Sequence, residues 1–426
     1  MSFLSALAFR IKGQGSEILR IYVLQFVTIA VGFLVSVFIA RTLGPEQKGI
    51  FDLYNTILAL ASDASMLGIS SAAFYFFTTK EINFNVVYSS SVLMAFLASS
   101  FFLILLSAVL SFFPSVLPAT VNLWLLAAVL VATYLSTHSQ IWSNLIVGLG
   151  KPLEIYKVNF FSTVLLLLSF LLLAVTFGLT VERVIVSCLF VGILVLGIQL
   201  YIIKQRVDIS FAPDMSLFIP MIKWGGVAYV GTVVNTLHFK IDIFMVEYLC
   251  GLGGVGVYTV AVRLAEMMFI LDSAVIHTSL KKIATLQREE SRKYTTKISF
   301  VLLGMMSVAS LAAAIIGYYF IPMLYGVSFD GAVRPFLFIL PGIILWASAK
   351  PISGYICYKQ GTPMIPSGFA LLGVALNVCL NYYLLPVYGL TGAAIASSCS
   401  YGLVALLHVL YFVFDAKRVT TFRESS

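Results

Sequence analysis

The sequence predicts an all-α polytopic membrane protein, with about twelve transmembrane helices in two six-helix pseudo-repeat lobes covering residues 1–207 and 208–426. Three observations predict it. Hydrophobic residues make up 60% of the 426-residue chain and charged residues only 10%, with a mean hydropathy of +1.02, far from the soluble norm. Apolar runs of about 20 residues recur along the whole length, each able to cross roughly 30 Å of hydrocarbon. The two halves also echo each other. Gly150-Lys151-Pro152 and Phe177-Gly178-Leu179-Thr180 reappear as Gly361-Thr362-Pro363 and Tyr388-Gly389-Leu390-Thr391, at one shift of 211 positions. Leu43-Gly44 and Lys48-Gly49-Ile50-Phe51 reappear as Cys250-Gly251 and Val255-Gly256-Val257-Tyr258, at a shift of 207.

In the first half, spans are expected to begin near Ile18, Ile50, Val86, Ala119, Val158 and Arg183. In the second half they begin near Gly225, Val255, Ile298, Arg334, Ser367 and Gly392. No cleavage pattern follows the first span, so it is expected to be retained. Gly44-Pro45, Gly49, Gly150-Lys151-Pro152 and Gly361-Thr362-Pro363 read as turn formers, since Gly supplies backbone freedom and Pro ends a helix. Pro220, Pro341 and Pro351 lie within or near spans and would kink them. The five cysteines (Cys188, Cys250, Cys357, Cys379 and Cys399) lack metal-ligand spacing and read as small packing residues. No metal or cofactor is expected.

The basic residues orient the chain. With the N-terminus inside, about eighteen of the 26 Lys and Arg lie on cytoplasmic segments, while Arg41, Lys48, Arg183 and Arg334 fall outside. Both termini are then cytoplasmic. The pI near 9.1 is a topological signature and calls for no nucleic-acid partner. The largest soluble piece, Lys281 to Lys297, holds six basic residues against Glu289 and Glu290. It reads as a basic segment along the inner headgroups, with Phe3–Ile11 as a second interfacial stretch.

With so little outside the bilayer, function has to be sought among the polar residues within it. An unpaired charge at mid-membrane costs about 2.5 kcal/mol or more, so such residues face a cavity or a partner. The second span carries Asp52, Asn55 and Asp63. The seventh carries His238, Lys240, Asp242 and Glu247, the eighth Arg263, Glu266 and Asp272, and the tenth Lys350. His238 and Asp242 share a helix face, and Arg263 and Glu266 are close enough to neutralise each other. Lys350 has no acid within two turns of its own helix. Lys240, Arg263 and Lys350 therefore leave a positive surplus on three helices. Converging on one cavity, they would suit an anionic substrate, most naturally a phosphate group. Internal repeats in a membrane protein point the same way, to a transporter holding its substrate between them.

The stretch Ile39-Ala40-Arg41-Thr42-Leu43-Gly44-Pro45-Glu46-Gln47-Lys48-Gly49 resembles the signature of Wzx-type O-antigen and polysaccharide flippases, within the multidrug/oligosaccharidyl-lipid/polysaccharide exporter superfamily. Lys240-Ile241-Asp242, Gly256-Val257-Tyr258, Arg263-Leu264-Ala265-Glu266, Gly361-Thr362-Pro363 and the run Tyr388 to Ala394 resemble later parts of that family. The likeness covers nearly the whole chain. It implies two six-helix lobes around a central cavity in a bacterial inner membrane. It implies transport of an undecaprenyl-diphosphate-linked oligosaccharide, an O-antigen or other polysaccharide repeat unit of lipopolysaccharide biosynthesis, from the cytoplasmic to the periplasmic leaflet by alternating access. Other polysaccharide-assembly proteins would be its neighbours. On that reading Lys240, Arg263 and Lys350 contact the diphosphate. Asp63, Asp242, Glu266 and Asp272 tune those cations or carry a coupling ion, which stays open between proton and sodium.

Two rivals are weighed against this. A cation-coupled multidrug exporter of the same superfamily would share span count and repeat, but should carry acids in its binding lobe; the first span has none between Ile21 and Ala40. A membrane enzyme would need extramembrane bulk, and neither a nucleotide-binding glycine loop nor His/Cys metal spacing is present.

Overall fold

The computed structural model describes residues 3–112 and 123–424. The expected start of the fourth span at Ala119 lies outside them, as do the side chains of Phe3–Ile11, Lys417 and Arg418. Among the described residues the chain is helical, without strands. In order the helices are α1 (Phe3–Met66), α2 (Ile69–Thr78), α3 (Phe84–Phe112), α4 (Leu123–Gly148), α5 (Pro152–Thr176) and α6 (Val181–Lys204). There follow α7 (Phe218–Glu266), α8 (Phe269–Thr285), α9 (Arg288–Tyr325), α10 (Val333–Gly354), α11 (Met364–Tyr388) and α12 (Leu390–Glu424).

The second six repeat the pattern of the first: a long broken helix, a shorter one, then four further long ones. Packing repeats as well. In the first six, α4 packs on α2, α3 and α6, and α5 on α6. In the second six, α10 packs on α8, α9 and α12, and α11 on α12. Backbone conformation matches at the landmarks too. Gly150 and Gly361 (φ 75° and 73°) and Gly178 and Gly389 (φ 74° and 55°) all take positive φ.

Ten stretches among the described residues are long and apolar enough to cross a membrane. Two of them, Leu19–Met66 and Tyr229–Ser273, run to 48 and 45 residues. At 1.5 Å per residue each exceeds about 65 Å, twice the hydrocarbon thickness. Both are broken where left-handed backbone interrupts the helix, at Gly44 (φ 71°, ψ 176°) and Gly251 (φ 71°, ψ −179°). Counting each as two passes gives twelve. Large apolar side chains face outward along these helices, Phe26 and Phe101 among them, which suits lipid as the surrounding solvent.

By internal contacts the chain forms two compact units. One holds Met1–Leu43 and Ala61–Gly226; the other holds Gly44–Leu60 and Val227–Ser426. In the first unit the connector after α6 is strapped to α3: Asn85 Nδ2 donates to Asp208 O at 2.9 Å, and Ser90 Oγ accepts from Asp214 N at 2.9 Å.

Several local expectations change. Gly49 forms no turn, because the helix resumes directly after Gly44. Instead a Cβ on Gly49 would lie 1.9 Å from Leu252 O, and one on Gly256 would lie 2.0 Å from Pro45 O. These repeat-related glycines let two backbones cross with no side chain between them. Pro341 and Pro351 lie inside α10, and a π-turn, Tyr355–Lys359, follows the second. All five cysteines are free, and Cys250, Cys379 and Cys399 are exposed on helices rather than packed inside.

Candidate functional site

The glycine crossing places Asp52, three residues beyond Gly49, against Thr259, three residues beyond Gly256. The two are counterparts at the 207-residue shift, and the Thr259 hydroxyl donates to Asp52 Oδ2. Lys48, one turn before Asp52, pairs with the same carboxylate and also donates to Thr259 Oγ1 at 3.0 Å. Both Lys48 and Asp52 are only 2% exposed. Lys48 is therefore no loop residue: it enters the helix four positions after the break and is buried against its acid. The sequence reading missed this pair, although the i,i+4 spacing signals it.

The Arg263 guanidinium approaches Asp52 Oδ1 at 3.1 Å and keeps 42% of its side chain exposed. This is charge contact without a formed hydrogen bond, since Oδ1 accepts none. Arg263 thus pairs with Asp52 and not with Glu266, the partner expected along its own helix. Glu266 instead accepts from Lys240 at 3.2 Å. Asp52, Asn55, Thr56, Lys240, Thr259 and Arg263 line one cleft of about 280 Å³.

The third expected cation sits elsewhere. Lys350 does have an acidic neighbour, supplied by another helix: its Nζ lies 2.7 Å from Asp272 Oδ2 and 2.9 Å from Oδ1. It also lies 4.2 Å above the Phe269 ring. Asp272 has no exposed surface, and Lys350 keeps 28% of its own. Neither lines the cleft. Asp63 is half-buried and belongs to the other compact unit.

Asp242 anchors a second polar cluster, buried within the same unit as the cleft. Its Oδ2 accepts from Tyr258 OH at 2.6 Å and from Ser397 Oγ at 2.9 Å. Asn377 donates to Ser397 Oγ at 3.1 Å, and Asn381 to Asn377 Oδ1 at 2.8 Å. Asp242 Oδ1 and Asn381 Oδ1 are buried acceptors without a donor among the described residues. His238, on the same helix face, bonds Ser400 rather than Asp242. Ser397, Asn377 and Asn381 gave no signal in the sequence, where uncharged polar residues on spans are common, and Tyr258 stood out only as a repeat and family landmark. Among the described residues no group of three His, Cys, Asp or Glu side chains could hold a metal ion.

Comparison with known proteins places this geometry. Residues 38–334 match the family described as polysaccharide biosynthesis protein. The "Probable low-salt glycan biosynthesis flippase Agl15" of Haloferax volcanii is 22% identical over 411 residues, spanning 92% of this chain and 82% of that protein. Among solved structures, the lipid II flippase MurJ in an inward closed conformation superposes with a TM-score of 0.75 at 16% identity, covering 93% of this chain and 87% of MurJ. An inward-facing multidrug resistance MATE family transporter of the MOP superfamily reaches 0.66 at 17% identity, covering 93% and 96%. The two solved structures share the fold. The match over residues 38–334 goes further: the chain belongs to the polysaccharide biosynthesis protein family.

Proposed function

We propose that this chain is a flippase that moves an oligosaccharide linked to a polyprenyl diphosphate, of the undecaprenyl-linked O-antigen or polysaccharide type, from the cytoplasmic to the outer leaflet. A diphosphate and a sugar cannot cross hydrocarbon unaided. A cationic cleft carries them while the lipid tail stays in the membrane.

The observation that carries this reading is the charge balance at the cleft. Lys48, Lys240 and Arg263 form their ion pairs with Asp52 and Glu266, while the nearby Asp242 is held by Tyr258 and Ser397. The surplus positive charge lies at Arg263, the most exposed of the three and the one held without a hydrogen bond. Its planar donors suit a diphosphate, and its departure would leave Lys48 and Asp52 still paired. Lys240 provides the second contact. Lys350 contributes only by giving up Asp272, so its share is smaller. Asp242 is assigned the coupling ion, since a proton or a sodium ion would satisfy its unpartnered oxygen. Glu266 and Asp272 tune their lysines, and Asp63 is assigned the same charge-tuning role in its own unit.

The fold shared with MATE transporters also suits a cation-coupled exporter. The family membership, the glycan flippase relative and the sign of the cleft favour the lipid-linked glycan. The test is flipping of a fluorescent polyprenyl-diphosphate oligosaccharide in proteoliposomes. Arg263→Ala should lower the rate by more than about tenfold, the worth of a charged hydrogen bond or more. Full activity in that variant would remove Arg263 from the site. Proton- or sodium-driven efflux of small cations without any flipping would replace the substrate class.

A further inference from the structure

A second cationic cleft, of about 360 Å³, lies outside the site above and is lined by Arg288, Tyr355, Lys359, Gln360 and Asp415 among others. Its location is set by three spans. Arg288 opens one of the ten membrane-crossing stretches, and Lys359 and Asp415 close two others. The cleft therefore lies at the ends of three spans on one side of the membrane, where a lipid headgroup can reach it. By the positive-inside rule this is the cytoplasmic boundary, since the basic run 281–297 adjoins it.

Three cations meet one acid there. Arg288 Nη2 donates to both Asp415 oxygens at 2.8 and 3.1 Å, and the same guanidinium also meets the Tyr355 hydroxyl. Arg292 pairs with Asp415 at 3.1 Å and stacks over Phe412 at 4.2 Å. Lys359 donates to the backbone carbonyls of Ala284 at 3.4 Å and Leu286 at 2.5 Å, two of its three protons. One carboxylate against three cations leaves two positive charges uncompensated. Unused hydrogen-bonding capacity points inward as well. The hydroxyl of fully buried Tyr355 lies beside the Arg288 guanidinium, and no acceptor among the described residues takes its proton.

We infer that this cleft binds the phosphate of an anionic phospholipid headgroup from the inner leaflet. The phosphate lies between Arg288 and Lys359 and accepts from Tyr355, while the acyl chains stay beside α9 and α12. The site is independent of the transported substrate, so it stands or falls apart from the flippase reading. Basic pockets between membrane helices recognise acidic headgroups by this chemistry.

Native mass spectrometry of the detergent-solubilised full chain tests it, with phosphatidylglycerol, phosphatidylcholine and inorganic phosphate as probes. Wild type should retain phosphatidylglycerol over phosphatidylcholine. Arg288→Gln with Lys359→Gln should weaken phosphatidylglycerol roughly fivefold per charge removed. Lys281→Gln with Lys293→Gln, an equal charge loss on exposed residues, should leave it unchanged. Asp415→Asn, which removes the one acid, should tighten it. Equal losses in the two double variants would reduce the effect to diffuse surface charge and overturn the inference. Weaker or unchanged binding in Asp415→Asn would make the cluster a structural clamp and overturn it as well. Displacement of the lipid by millimolar inorganic phosphate would assign the site to the free anion instead.

Discussion

The segments that follow the two helix breaks, 45–60 and 252–266, have the same backbone and different chemistry. Both leave a left-handed glycine, Gly44 or Gly251, and both cross at a glycine five residues later. Yet the first carries Lys48 and Asp52, both sealed from solvent, while the second carries Thr259 opposite Asp52 and the half-exposed Arg263. The difference teaches how a repeat becomes a site. Duplication supplies the scaffold and a close crossing; divergence at the crossing puts the acid on one segment and the available cation on the other.

The largest expected effect comes from breaking the sealed side. Asp52→Ala would leave the buried Lys48 ammonium with the Thr259 hydroxyl but without a counter-charge, which costs about 3–5 kcal/mol when a buried pair loses one member. Thermal unfolding in detergent should show the drop. Lys48→Met combined with Asp52→Leu should recover much of it, because a buried pair replaced by apolar residues is often near neutral. If Asp52→Ala unfolds like wild type, Lys48 does not depend on that carboxylate.

Next is the crossing that both segments share. Gly256→Ala puts a methyl group 2.0 Å from the Pro45 carbonyl oxygen, so the helices must shift. Overpacking of this kind costs about 1–3 kcal/mol. Gly253 is the control, because a Cβ added there would meet nothing within 4 Å. Gly253→Ala should be silent or slightly stabilising. Equal stability of the two variants would mean that the crossing can relax freely.

Much of this was legible in the sequence, and the part that was not has a physical reason. Apolar runs and glycine landmarks are local signals, so the spans, the repeat and the break at Gly44 could be read directly, with Gly251 marked only as its counterpart at the 207-residue shift. Ion pairing could not. Lys240 with Glu266, Arg263 with Asp52 and Lys350 with Asp272 all join separate helical segments, whereas partners sought along one helix gave Arg263 the wrong acid and Lys350 none. Lys48 reads as a loop residue because Gly44-Pro45 resembles a turn, while the helix needs only one residue to break and resume. The long-range signals available were the 211- and 207-residue registers, and the second sets Asp52 on Thr259.

That register allows the finest test, with the smallest expected effect: exchanging the two counterparts. Asp52→Thr alone should destabilise much as the alanine variant does. Asp52→Thr together with Thr259→Asp should not. Lys48 Nζ already reaches the Thr259 side-chain oxygen at 3.0 Å, so a carboxylate moved there stays within range. It would also precede Arg263 by four residues on one helix, the favourable order for an acid and a base. The double variant should therefore fall within about 1 kcal/mol of wild type, with a coupling of about 2 kcal/mol or more in the double-mutant cycle. Additive losses would mean that the carboxylate has to come from the first segment. In that case the asymmetry between the two segments is fixed by packing, and charge balance alone does not set it.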